Sequence, residues 1–149
     1  MRIEVTERTK IERPAWEVRD QFRDITYHAA NAVHQSQRTA VLSRDNGRCR
    51  YTLTTRIGPR VGRAEVVMAE SAHGALVNEI TSGPFAGSIV TFEFEWTGPS
   101  ETVVVATASV EVRGPARIGR WWLRRWLHRT LATTLDEDRR DLESGLYAR

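Results

Sequence analysis

The chain has 149 residues, 40% hydrophobic and 28% charged, which is enough for one domain with a real core and too few for two comfortable ones. Its single cysteine, Cys49, excludes an internal disulfide and every multi-cysteine metal or iron–sulfur site. The net charge is only +3, and no stretch approaches the roughly eighteen apolar residues of a membrane span. We therefore expect a single domain over residues 1–149 that is cytoplasmic by default.

The first predicted elements are a strand and two short helices. Residues 2–12 alternate apolar and charged side chains with the period of two expected of a half-buried strand, and Glu7 falls on the apolar face. Pro14 suits the first turn of a helix, and the apolar pattern that follows predicts a short helix ending near Asp24. A second short helix is predicted over residues 26–34.

Six further strands are predicted between residues 37 and 112. Turn-forming segments such as D-N-G at 45–47 and G-P-F-A-G at 83–87 separate them, so they should form consecutive hairpins. Val90, Phe92, Phe94 and Trp96 alternate with polar residues, which predicts one buried and one wet face. The predicted strands cover residues 37–43, 48–57, 62–71, 75–82, 87–96 and 102–112.

The last predicted element is a long helix over about residues 116–146 that covers the buried face of the sheet. At about 100° per residue, Leu127, Leu131, Leu135 and Leu142 fall in one stripe, as in a helix packed on one side. Asp138 lies within this stripe. An unpaired carboxylate there is costly, so it should meet a cation or a hydrogen-bond donor.

This order of elements resembles the helix-grip fold, and in particular the polyketide cyclase/dehydratase and lipid-transfer group often called SRPBCC. The resemblance covers essentially the whole chain, and the segments that carry it are I-E-R-P-A-W-E-V-R-D-Q-F-R-D at 11–24, T-S-G-P-F-A-G at 81–87 and R-W-L-H-R-T-L-A-T-T-L at 125–135. It implies an α+β domain in which a seven-stranded curved antiparallel sheet wraps around the C-terminal helix. Enzymes, carriers and receptors share this fold.

The resemblance also implies an elongated cavity between the sheet and the helix, for a small hydrophobic or aromatic molecule. Each predicted ligand-binding residue could equally belong only to the core. The candidates are Tyr51, Leu53, Val66, Met68, Phe92, Phe94 and Trp96 on the strands, with Trp122 and Trp126 on the helix.

A second resemblance concerns D-I-T-Y-H-A-A-N-A-V-H at 24–34 together with L-D-E-D-R-R-D-L-E at 135–143. These segments are similar to the catalytic domain of Rieske-type oxygenases, itself a helix-grip fold. The similarity implies that His28, His34 and Asp138 hold a mononuclear iron or another divalent transition metal, with Asp24 as the acid that links the iron to its electron donor. Two His and one carboxylate leave metal positions open for substrate and dioxygen.

The spacing of the two His differs from that family, because five residues separate them instead of the usual four. On a straight helix His28 and His34 would lie about 120° apart. The alternative is that both His residues are polar groups at the mouth of the pocket and that Asp138 forms an ion pair with Arg139 or Arg124.

Without a metal or any other cofactor, His28 and His34 could act as general acid and base, since a neutral imidazole moves protons in either direction near pH 7. Glu7 and Tyr51 are also phased toward the interior and could assist an aldol-type cyclisation or dehydration of a polyketide-like substrate, the activity implied by the cyclase branch. Glu7 could instead be a core-edge residue paired with an Arg. A carrier or sensor without chemistry is the third predicted function.

An Arg- and Trp-rich segment, R-I-G-R-W-W-L-R-R-W-L-H-R at 117–129, begins the long helix. Helical phase places Leu127 toward the sheet and Trp122 and Trp126 on the opposite side, where they would cover the pocket mouth or form a homodimer contact. A basic aromatic helix also suits an anionic membrane, nucleic acid phosphates or an anionic or acyl-carrier-bound substrate. The low net charge argues against a nucleic acid partner overall.

Overall fold

Seven antiparallel strands form the sheet of the computed structural model, which describes residues 1–57, 59–114 and 119–147. Their order across the sheet is β1-β7-β6-β5-β4-β3-β2, so only the first strand pairs out of sequence, against the last. Each strand boundary lies within two residues of the sequence prediction. The strands are β1 (Arg2–Ile11), β2 (Gln37–Asp45), β3 (Arg48–Ile57), β4 (Arg60–Glu70), β5 (Leu76–Ile80), β6 (Ile89–Gly98) and β7 (Glu101–Glu111).

Three helices accompany the sheet: α1 (Ala15–Arg23), α2 (Ile25–Asn31) and α3 (Arg120–Glu143). Pro14 precedes α1 in an extended conformation, as the sequence predicts. The side chain of Asp24 caps α2 by accepting a hydrogen bond of 3.0 Å from the backbone N–H of Tyr27. Residues 116–118 of the predicted long helix lie outside the described residues.

The second short helix is shorter than the sequence prediction, which placed its end at His34. It ends at Asn31 because Ala32 adopts a left-handed conformation with φ of 48°. Its backbone N–H bonds to the carbonyl of His28, the helix-ending geometry that usually uses Gly. The two residues after Ala32 therefore leave the helical path.

The long helix packs mainly on β1, at one edge of the sheet. Leu123, Leu131, Leu135 and Leu142 are buried on this side of α3. The short helix α1 packs on β6, and α2 packs on β2, the edge strand opposite β1. Two helices, α3 and α2, therefore lie at the two edge strands and α1 on an inner strand, and the predicted helix-grip architecture is confirmed. No helix among the described residues is long and apolar enough to cross a membrane.

Replacing Leu135 tests how far this helix contact stabilises the fold. Leu135 is 1% exposed, so Leu135→Ala should lower the free energy of unfolding by about 2–5 kcal/mol through lost burial and the cavity left behind. Leu146→Ala, at a side chain that is 56% exposed, is the control and should change it by less than about 0.5 kcal/mol. Urea titration measures both, and similar losses would contradict the packing described.

Candidate functional site

An internal cavity of ≈ 210 Å³ lies where the helices leave the concave face of the sheet uncovered. Its wall takes side chains from strands β2 to β7, from the two short helices and from one side of α3. This volume is below the roughly 300–1,000 Å³ of pockets for drug-sized ligands. The cavity suits a small molecule, and the apolar side chains that shape it include Leu53, Val66, Phe85, Phe92, Trp126 and Leu127.

Three polar side chains of this wall, His28, His34 and Asp138, form a buried cluster. Asp138 lies between the two imidazoles: its Oδ1 is 2.9 Å from Nε2 of His28, and its Oδ2 is 3.6 Å from Nε2 of His34. The two rings stack with centroids 5.3 Å apart. One ligand atom from each residue lies within 4.8 Å of the others, which is the size of a metal site.

The early end of α2 brings the two His side chains together. The separation of about 120° holds only for one straight helix through both residues, and α2 ends before His34. His34 follows the left-handed turn at Ala32, so its ring returns to stack on His28. This turn compensates for the longer spacing between the two residues.

The outer nitrogen of each ring faces an oxygen. Nδ1 of His28 lies 2.9 Å from the carbonyl oxygen of Asp24, and Nδ1 of His34 lies 3.3 Å from Oε1 of Glu137. A carbonyl or an ionised carboxylate only accepts hydrogen bonds, so each Nδ1 carries a proton. In a neutral ring, Nε2 then carries no proton, and its lone pair is directed at the Asp138 carboxylate. The cluster therefore needs a cation, either a proton or a metal ion, between its inner atoms.

The surroundings of His28 shift the pKa of its ring upward. Burial of the ring lowers the pKa of His28, but the hydrogen bond to Asp138 and the charge of that carboxylate raise it by more. The resulting pKa lies above the ordinary value of 6.5. The contact with Asp138 therefore favours the protonated form of the His28 ring.

Gln21 supports Asp138 from α1 and was missed by the sequence analysis. Its side chain is fully buried, and its amide nitrogen donates hydrogen bonds of 3.1 Å to Oδ1 of Asp138 and 3.1 Å to Oδ2 of Asp141. Asp141 also accepts a hydrogen bond of 2.9 Å from the hydroxyl of Tyr27. The signal in the sequence was a polar residue directly before Phe22 on the inner side of α1, three residues after the buried Val18.

The alternative ion pair of Asp138 with Arg139 or Arg124 is wrong. Arg139 contacts Asp136 and Glu143 on the outer side of α3, and Arg124 is exposed. The carboxylate of Asp24, predicted to connect a metal with its electron donor, accepts hydrogen bonds from the backbone of Tyr27 and from the hydroxyl of Tyr147. Among the described residues, the contact of Asp24 with His28 runs through its carbonyl oxygen.

Four of the predicted ligand-binding or catalytic residues on the strands, Tyr51, Leu53, Val66 and Phe92, lie along the cavity wall. The hydroxyl of Tyr51 donates a hydrogen bond of 2.9 Å to Oδ1 of Asn78, which also lines the cavity. Burial raises the pKa of Tyr51, so its hydroxyl stays protonated near neutral pH. The hydrogen-bonded pair of Tyr51 and Asn78 is a second polar group in the apolar wall, besides the cluster of His28, His34 and Asp138.

Three other predicted ligand-binding residues on the strands do not line this cavity. Phe94 packs edge-to-face on Phe22, with ring centroids 5.4 Å apart. Met68 lies in the core and borders a separate, polar pocket. Trp96 is 71% exposed because the alternation of β6 ends there, beside the register shift before Gly98.

The predicted placement of the helix residues is also corrected. Trp126 and Leu127 both line the cavity, so they do not lie on opposite sides of α3 as predicted. The cavity lies to one side of the helix and spans an arc wide enough for adjacent residues. Trp122 is 51% exposed and lies outside the cavity wall, stacked on Trp126 with ring centroids 6.5 Å apart.

The predicted catalytic role of Glu7 has no support in its position. Its carboxylate lies 2.8 Å from Nδ1 of His128, in the contact between β1 and α3, and it is not among the residues of the cavity wall. The prediction rested on the phase of Glu7 toward the interior, and this phase does not show which part of the inner face borders the cavity. Because α3 lies directly over β1, the inner face of that strand is covered by the helix. The residue that contacts Glu7 is a His, whereas the prediction expected an Arg.

Comparison with known proteins shows the fold. No family model matches the chain, and no curated protein matches its sequence. A protein from Thermus thermophilus superposes with a TM-score of 0.86 and 16% identity, over 96% of this chain and 99% of that one. The Zhui aromatase/cyclase from Streptomyces sp. R1128 superposes with a TM-score of 0.84 and 13% identity, over 98% of this chain and 96% of that one. A START superfamily protein from Mycobacterium smegmatis superposes with a TM-score of 0.81 and 15% identity, over 95% of this chain and 97% of that one. This chain has the helix-grip fold.

Removing the Asp138 carboxylate tests the energetics of the cluster. Asp138→Ala leaves the His28 ring and the Gln21 amide without their buried partner, so the free energy of unfolding should fall by about 3–5 kcal/mol. Asp136→Ala, two residues earlier and about a third exposed, should cost less than about 1 kcal/mol. Guanidinium titration of both variants measures the difference. Equal losses would mean that the buried contacts contribute nothing beyond a surface ion pair.

Proposed function

We propose that this protein binds a small hydrophobic or aromatic molecule in the internal cavity and acts on it at the cluster of His28, His34 and Asp138. The observation that carries this proposal is the convergence of three buried ionisable side chains on the wall of an otherwise largely apolar cavity. Apolar pockets with a few converging polar groups are the usual form of small-molecule sites. Buried ionisable groups in such a pocket commonly carry chemistry.

The contacts of the ring nitrogens favour a metal centre. His ligands in metal sites generally donate their outer N–H to a carbonyl or a carboxylate, which orients the ring and fixes its tautomer. Both rings have such contacts here, through Asp24 and Glu137. His28, His34 and Asp138 would hold a divalent transition metal such as iron. This ligand set keeps coordination positions open and would supply Lewis-acid or redox chemistry at the cavity wall.

The neighbouring residues of the chain would keep these three ligands in place. The Gln21 amide holds Oδ1 of Asp138. Glu137 contacts the ring of His34 and also accepts a hydrogen bond of 2.9 Å from the backbone N–H of Gln35. Both residues of the segment after α2 are therefore attached to this one side chain of α3. The apolar wall would limit the access of water to a bound molecule.

Metal-free proton transfer is the second candidate. It would catalyse cyclisation or dehydration of a polyketide-like substrate, and it is favoured by the structural similarity to the Zhui aromatase/cyclase. Nε2 of His34 lies 3.6 Å from Asp138, too far for a hydrogen bond, so this nitrogen can exchange a proton with a bound molecule. The Tyr51 hydroxyl could orient the substrate by a hydrogen bond. Binding without turnover would leave a carrier or sensor.

Metal content separates the two candidates. Protein purified without a metal-affinity tag and loaded anaerobically with ferrous iron should retain near-stoichiometric metal by elemental analysis. His34→Gln should lose it, because one of the three ligands is gone. His128→Gln is the matched control, since His128 also contacts a carboxylate but lies outside the cluster, and it should retain the metal. Circular dichroism would confirm that both variants are folded. A wild-type protein without metal after loading would exclude the metal centre and leave proton transfer.

Filling the cavity tests ligand binding independently of the chemistry. Val66 and Val61 lie on the same strand, but Val66 is 2% exposed on the cavity wall and Val61 is 65% exposed. Val66→Phe should therefore weaken the binding of an aromatic probe such as naphthol at least tenfold, and Val61→Phe should not. Fluorescence titration measures the affinities, and thermal melting shows whether each variant stays folded. Equal affinity in a folded Val66→Phe variant would place the binding site elsewhere.

A further inference from the structure

The first turns of α3 expose two adjacent Trp side chains. Trp121 is 72% exposed and Trp122 is 51% exposed. Isolated exposed apolar residues are common on proteins, but two neighbouring Trp form a larger apolar surface of the kind found at interaction sites. Tryptophan has an apolar ring with one polar N–H, and for this reason it is enriched where water meets lipid.

Positive charge surrounds the two Trp side chains. Arg120, Arg124, Arg125 and Arg129 are all exposed on α3, and the sequence contains no acidic residue between Glu111 and Asp136. Within the part of the chain that the structure describes, none of these four Arg side chains forms an ion pair, whereas eight other Arg residues do. The guanidinium of Arg125 lies 5.5 Å from the ring centroid of Trp121. We call Trp121, Trp122 and these four Arg residues the Arg/Trp face.

The Arg/Trp face is continuous with the internal cavity. Trp122 stacks on Trp126 with an angle of 14° between the rings, and Trp126 belongs to the cavity wall. One pair of aromatic rings therefore reaches from the solvent to the apolar interior. A hydrophobic molecule that enters or leaves on this side would contact aromatic surface along the way.

From these features we propose that the Arg/Trp face docks the protein on an anionic lipid surface. Arg side chains pair with lipid phosphates while Trp rings enter the region of the headgroups, the combination that holds amphipathic helices at membranes. Continuity with the cavity favours lipid over nucleic acid, because a bilayer also dissolves small hydrophobic molecules. The proposal goes beyond the chemistry at His28, His34 and Asp138 and does not depend on it.

Vesicle binding tests the proposal with the whole protein. Vesicles of phosphatidylcholine mixed with equal parts of phosphatidylglycerol should sediment the protein at low salt, and vesicles of phosphatidylcholine alone should not. Added salt should weaken the binding because the Arg contacts are screened. The double variant Arg124→Gln, Arg125→Gln should weaken it at least tenfold, since each Arg near such a surface contributes about fivefold.

The chain offers a matched control for the Trp residues. Trp121→Ala, Trp122→Ala should lose binding to the anionic vesicles, whereas Trp16→Ala, Trp96→Ala, at side chains that are 66% and 71% exposed, should retain it. Circular dichroism would confirm that both double variants are folded.

Three results would overturn the proposal. The first is the absence of sedimentation with anionic vesicles at low salt, and the second is an equal loss of binding in the two Trp double variants. The third is a wild-type dimer that Trp121→Ala, Trp122→Ala converts to a monomer, since the Arg/Trp face would then join two copies of the chain. Loss of ligand binding in Val66→Phe with vesicle binding unchanged would separate this proposal from that of the cavity.

Discussion

The position of α3 over one edge of the sheet is the constraint on which the rest of the structure depends. A helix with side chains is about 10–12 Å wide, whereas seven strands about 4.8 Å apart make a much wider surface. Because α3 packs on β1, the inner faces of the central strands are left without a partner along its length. The two short helices close the sides of this gap. The cavity is thus a geometric consequence of the fold, and its apolar wall follows from the alternation of the strands.

The cluster of His28, His34 and Asp138 connects all three helices at this gap. Asp138 on α3 meets His28 on α2 and Gln21 on α1, so one carboxylate connects the long helix with two short helices more than 100 residues earlier in the chain. Burying such charges is costly, and replacing them with apolar side chains is often neutral or stabilising. Stability therefore does not explain why this position holds ionisable groups, whereas the function proposed at the cavity does.

The strand pattern predicted the architecture well and the site only in part. Alternation placed Val66 and Phe92 on the inner face, where both line the cavity. It placed Trp96 and Glu7 on the same face, but Trp96 is exposed and Glu7 contacts His128 of α3 outside the cavity. A period of two identifies the face of a strand, and it contains no information about which part of that face lies beneath a helix. Helical phase similarly placed Asp138 inside, yet it placed Trp126 on the side of α3 opposite Leu127, although both residues line the cavity.

The sequence by itself determined the order of elements and the buried stripe of α3 with Asp138 in it, because periodicity, turn chemistry and residue type are local properties. His28 and His34 were added by the resemblance to Rieske-type oxygenases. Only the tertiary structure decided how those residues meet. The left-handed conformation of Ala32 brings His34 onto His28, and Gln21 reaches Asp138 across 117 residues of chain. Such contacts depend on the relative positions of packed helices and on one backbone conformation that Ala rarely adopts. No local pattern encodes them.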